Sequence, residues 1–104
     1  SDVYKRQVEQ VKAIEEALRR ISTDGAVTYG RKMVSDASEQ GAVETLVIEA
    51  GLLRGEEESS KWEEIASSVK ASGGRVIQAS SEHDSGKQLL GMGGAIAILR
   101  WKLE

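Results

Sequence analysis

His83, the single histidine, stands in the segment Ser80-Ser81-Glu82-His83-Asp84-Ser85. An imidazole set among carboxylates and hydroxyls has the parts of a base beside a nucleophile. A catalytic triad is a spatial arrangement, however, and sequence neighbours rarely supply its geometry. The segment reads more simply as a polar turn that meets a partner or caps the next helix, with Asp84 or Ser85 accepting its free backbone N–H groups. Gly86-Lys87-Gln88 carries the lysine of a phosphate-binding loop. That pattern needs a glycine where Ser81 stands and a Ser or Thr where Gln88 stands. Gly91-Met92-Gly93-Gly94 precedes an apolar run, whereas a dinucleotide fingerprint follows a strand and opens a helix. One histidine and no cysteine leave only carboxylates for a metal, which would suit calcium or magnesium. Glu56, Glu57 and Glu58 are consecutive and would point in different directions, as expected of a solvated surface run. No catalytic residue, metal ligand or cofactor is assigned.

The residues suited to meeting a protein are of another kind. Leu52 and Leu53, followed by Arg54, sit in the longest loop. They read as a small flap over the core or as a binding tip, since binding residues often lie on loops held by a rigid scaffold. Trp101, between Arg100 and Lys102, is either a core-edge residue or an interface anchor, a part that Trp and Arg often play.

The elements that must position these residues follow from periodicity. Residues 3–21 read as a helix, with Val8, Val11, Ile14, Leu18 and Ile21 at spacings of three and four. Glu15 with Arg19 and Glu16 with Arg20 have the favourable i, i+4 order. A short strand at Ala26–Tyr29 precedes a helix over Arg31–Gln40, with Met33, Val34 and Ala37 inward. Val43–Ile48 is a buried strand. After the Ala50–Ser59 loop, Ser60 and Glu63 have capping-box spacing, and Trp62, Ile65, Ala66 and Val69 mark a third helix. Arg75–Ser80 is a strand. A short helix follows, with Leu89 and Leu90 on one side, and Gly93 and Gly94 end it. Ala95–Leu99 is apolar on both faces, Ile96 and Ile98 one way, Ala95, Ala97 and Leu99 the other. It is therefore a central strand covered on both sides. The order α-β-α-β-α-β-α-β predicts an α/β domain with helices on both faces of a four-stranded sheet. The unit from Val43 to Ala79 should be parallel with a right-handed crossover.

A chain of 104 residues suits one domain, and a composition with 30% charged and 39% hydrophobic residues is ordinary for a globular one. The net charge of -3 speaks against a domain built mainly to grip phosphates. No apolar run approaches the roughly 20 residues of a membrane helix, and no signal peptide is visible, so a cytoplasmic protein is expected. The abrupt start in helical sequence leads us to expect that residues 1–104 are a single domain of a longer, multidomain protein.

Three blocks stand out: Ala26-Val27-Thr28-Tyr29-Gly30 with Gly41-Ala42-Val43-Glu44-Thr45-Leu46; Leu52-Leu53-Arg54; and Ser80 to Leu89 running on to Gly93–Arg100. Together they resemble the C-terminal domain of the Pelota family of ribosome-rescue factors. The chain end looks more archaeal than eukaryotic, because the acidic tail usual in eukaryotic relatives is absent. Class-one peptide chain release factors are the alternative. They share the fold and a final Gly-Ile-Leu-Arg-aromatic strand, mirrored by Ala97-Ile98-Leu99-Arg100-Trp101, but usually lack the Glu82-His83 pair. Where the family often has acidic residues before Leu-Leu-Arg, this chain has Ala50 and Gly51.

The resemblance implies a three-layer α/β/α sandwich with a four-stranded mixed sheet, like the release-factor domain and the kink-turn-binding ribosomal proteins. The latter read RNA with Gly-Thr-Asn-Glu-x-x-Lys, where this chain has Gly30, Arg31, Lys32, Met33 and, for the lysine, Asp36. An RNA-binding domain of the same fold is thus disfavoured. It further implies a non-catalytic, monomeric docking module for a translational GTPase (elongation factor one alpha in archaea) and a ribosome-recycling ATPase, in ribosome rescue and no-go mRNA decay. The ribosome is met through the full-length protein. A metal-dependent mRNA endonuclease activity credited to full-length members belongs to another domain. Leu52, Leu53, Arg54, Glu82, His83, Arg100 and Trp101 are the expected partner contacts.

Overall fold

The structure is a computed structural model that describes residues 2–54 and 59–102. Its elements are α1 (Asp2–Ser22), β1 (Val27–Tyr29), α2 (Arg31–Glu39), β2 (Val43–Glu49), a 3-10 turn (Ala50–Leu53), α3 (Ser59–Ala71), β3 (Arg75–Ala79), α4 (Asp84–Leu90) and β4 (Ala95–Leu99). The order matches the one read from the sequence, with the 3-10 turn added. The acidic run Glu56–Glu58 lies outside the described residues. Because α3 includes Ser59, Ser60 sits inside the helix and not at its cap.

The sheet order is β1-β4-β2-β3. β2 and β3 are parallel, as the crossover rule requires, and β4 runs antiparallel to both β1 and β2. The last strand in the chain is therefore an inner strand of a mixed sheet. All five of its residues are buried. Ala95, Ala97 and Leu99 join a core with Val34 and Ala37 of α2 and Trp62, Ile65 and Val69 of α3. Ile96 and Ile98 join a second core with Ala13, Ile14 and Ala17 of α1 and Leu89 of α4. Period-two alternation thus divides one strand between two cores, giving three layers.

β2 obeys the same alternation only after a register shift. Val43 opposes Leu99 and Thr45 opposes Ile98, leaving exposed Glu44 as the extra residue of a bulge. The bulge lets Val43 share the α2–α3 core with Leu46 and Ile48, while Val47 faces α1 and α4.

Three apolar assignments are corrected. Val11, Met33 and Leu90 are 44%, 52% and 49% exposed. In α1 the buried stripe is Ala13, Ile14 and Ala17, flanked by Leu18 and Ile21. At about 100° of rotation per residue Val11 falls well to one side of this stripe and so faces outward. α2 and α4 are short and touch the sheet through a single stripe, Val34 with Ala37 and Leu89 with Gly86, so the adjacent residue faces solvent.

Candidate partner-docking site

The registers define two edges of the sheet. Tyr29, Glu49, Ala79 and Ala95 lie at one, the upper edge, and Val27, Val43, Arg75 and Leu99 at the other. The seven residues singled out from the sequence divide between them. Leu52, Leu53 and Arg54 follow the end of β2, and Glu82 and His83 follow the end of β3, so these five share the upper edge. Arg100 and Trp101 follow the end of β4, at the lower edge. Seven residues at about 3.3 Å each separate the two edges by about 20 Å.

Leu52 and Leu53 are partly buried and pack on the α2–α3 core. A Cβ placed on Gly94 would collide with Leu52 Cδ1, so the leucine occupies the space that this glycine leaves free at φ 90°. The pair is a flap on the core, and exposed Arg54 is what it presents to solvent.

The second segment is built by backbone bonds. His83 N–H donates to the Ser80 carbonyl at 3.2 Å, and Glu82 N–H donates to Ser80 Oγ at 3.1 Å. His83 is the N-cap of α4 in extended conformation, and its side chain caps nothing. The expected capping by Asp84 or Ser85 is therefore corrected: Asp84 is the first helical residue, where its charge favours the positive end of the helix dipole. Gly86 rests directly on the Ser80 carbonyl, since any Cβ there would overlap it. The exposed His83 ring makes no hydrogen bond to Ser81 or Ser85. With Asp84 and Ser85 it borders a recess closed by Gln7, Gln10 and Val11 of α1. Among the described residues no group of three His, Cys, Asp or Glu side chains could hold a metal ion.

At the lower edge, Arg100 Nη2 donates to the Ser72 carbonyl at 2.7 Å, just past the end of α3. Lys102 pairs with Asp24 at 2.9 Å, while Trp101 between them is 49% exposed. Arg20 reaches the carbonyls of Ala26 and Leu99 at 3.2 and 3.1 Å, so basic residues tie down this edge. The matching positions for kink-turn reading, Arg31, Lys32, Met33 and Asp36, are exposed on α2. The surface is open, but it carries a thioether and a carboxylate where the readers carry a carboxylate and a cation.

The eRF1 domain 3 family model matches residues 7–103. The chain belongs to the eRF1 domain 3 family. Within it, the chain is similar to the protein pelota homolog of Pyrococcus furiosus, 39% identical over 97 residues, covering 91% of this chain and 26% of that one. The chain thus spans about a quarter of the length of the curated relatives it matches. Among solved structures, it is similar to Saccharomyces cerevisiae Dom34, a translation termination-like factor that interacts with Hbs1 (25% identity, TM-score 0.88, 92% of this chain, 28% of that one). It is also similar to an archaeal Pelota bound to the ribosome with ABCE1 (39% identity, TM-score 0.78, 97% and 27%).

Glu49 escaped the reading of the sequence. It closes β2 with a buried carboxylate that accepts the Gly51 N–H. The available signal was an acidic residue directly after the apolar run Leu46-Val47-Ile48 and two positions before a glycine.

Proposed function

We propose that this eRF1 domain 3 chain is the C-terminal domain of a longer Pelota-like factor and serves as a protein-docking module in ribosome rescue. The likeness to an archaeal Pelota bound to the ribosome beside ABCE1, over nearly the whole chain, carries this reading. The module docks a translational GTPase, elongation factor one alpha in archaea, and the ribosome-recycling ATPase. The likeness to Dom34, which interacts with Hbs1, supports a protein partner of this kind. The longer protein works in the cytoplasm on stalled ribosomes and feeds no-go mRNA decay. Arg54, Glu82 and His83 make the upper-edge contacts, with Leu52 and Leu53 as their base. Trp101 and Arg100 form a separate lower-edge contact.

Calorimetric titration against archaeal elongation factor one alpha loaded with a GTP analogue tests this, with a kink-turn RNA as control. Heat from the GTPase and none from the RNA is expected, and Arg54→Ala and Leu53→Ala should weaken binding. Binding to the RNA alone would overturn the reading.

A further inference from the structure

We infer that Glu49 is a positioning residue for the upper edge: its buried carboxylate fixes the turn that carries Leu52, Leu53 and Arg54. The link to docking rests on the function proposed above; the positioning itself rests on geometry. Glu49 is 7% exposed at the end of β2, directly after the apolar run Leu46-Val47-Ile48. Burying a carboxylate is costly unless it is hydrogen-bonded, and bonds from N–H groups to an ionised acceptor are among the stronger ones. Glu49 Oε2 accepts the Gly51 N–H at 2.7 Å and so caps the 3-10 turn. The Gly51 carbonyl in turn accepts the Arg54 N–H at 3.1 Å. Glu49 N–H donates to the Gly94 carbonyl at 2.9 Å, beside the surface on which Leu52 sits. A continuous set of bonds therefore runs from the inner strands through one carboxylate to the backbone of the exposed arginine. The approach also needs a glycine: a Cβ on Gly51 would lie 2.6 Å from Glu49 Oε1 and push the carboxylate aside.

Amide hydrogen exchange tests the positioning without a partner. Glu49→Ala should speed exchange at Gly51 and Arg54 about tenfold, the scale of one lost charged hydrogen bond, and leave Ile96 and Ile98 unchanged. Glu49→Gln, which keeps an acceptor oxygen, should restore most of the protection. Unchanged exchange at Gly51 and Arg54 would overturn the inference. If Glu49→Ala fails to fold, Gly51→Ala makes the same test from the other side of the bond. A double-mutant cycle with Arg54→Ala then reads affinity for the GTP-analogue-loaded elongation factor. Each single change should weaken binding about tenfold and the pair no more than either alone, because both act through one side chain. Additive losses would overturn the coupling of Glu49 to docking. If exchange responds while Arg54→Ala leaves affinity unchanged, the positioning of the turn stands and the docking reading falls.

Discussion

Arg100 has a second role at the scale of the residue. Its guanidinium donates to the Ser72 carbonyl, where α3 has exhausted its internal donors and carries partial negative charge. One side chain thereby fastens the end of α3 to the end of β4. Arg100→Ala should cost about 1 kcal/mol, a typical net value for an exposed charged hydrogen bond, and a thermal melt would register it as a drop of several degrees. Any binding loss in that variant must be read after this correction. Glu16 presents the other residue-scale test. Hydrogen bonds from Arg19, at 2.6 Å, and Arg20, at 2.7 Å, hold its carboxyl below the ordinary glutamate value. Arg19 uses Glu16 and not Glu15, at i, i+3. A lowered folded-state pKa means stability that is present above the ordinary value, about 4.3, and is lost as pH falls through the lowered one. Urea melts of wild type and Glu16→Gln should therefore differ at neutral pH and converge in acid. A constant gap down to strongly acid pH would contradict the pairing.

The helices share one way of stopping. In α2 and α3 the residue after the cap is a glycine at positive φ, Gly41 and Gly73, whereas α4, capped by Gly91, reaches its positive-φ glycine, Gly93, two residues beyond the cap. Each sends its N–H back three residues, and the following N–H goes back five, to Ala37, Val69 and Leu89. This is the Schellman arrangement, and it satisfies carbonyls that would otherwise be orphaned. The regular part of α4 ends at Leu90 with Gly91 as its cap, earlier than the stop expected at Gly93 and Gly94, although the closing bonds run on to both glycines. α1 makes the same closure with Asp24 at φ 56°. A residue with a Cβ pays about 1 kcal/mol for that conformation, and the exposed Asp24–Lys102 pair returns less than that. Asp24→Gly should therefore raise the melting temperature by a few degrees. A lower value would mean that the ion pair at the lower edge matters more than the backbone.

At the scale of the whole molecule, the two edges bear on how the domain can hold partners. Arg54 and Trp101 follow opposite ends of strands, edges about 20 Å apart by strand length, farther than a shared local network reaches. If both are partner contacts, their effects on any one complex should add to within about 0.5 kcal/mol. Calorimetry on Arg54→Ala, Trp101→Ala and the double variant measures this. The two edges differ in how they are held: the exposed groups of the upper edge belong to turns built on backbone bonds, and Arg20 and Arg100 at the lower edge are engaged with helix and strand ends.

Local pattern alone determined the order of the elements, the parallel β2–β3 crossover, the two faces of β4 and the resemblance that the family match bears out, because each is written in neighbouring residues. Tertiary structure alone decided that β4 lies between β1 and β2, that five of the seven candidate residues share one edge, and that Val11, Met33 and Leu90 face water. Strand order depends on which apolar faces can be covered together, and periodicity is blind to that. Glu49 belongs with these: an acid at a strand end has no local signature of burial until Gly51, Gly94 and the leucine flap close around it.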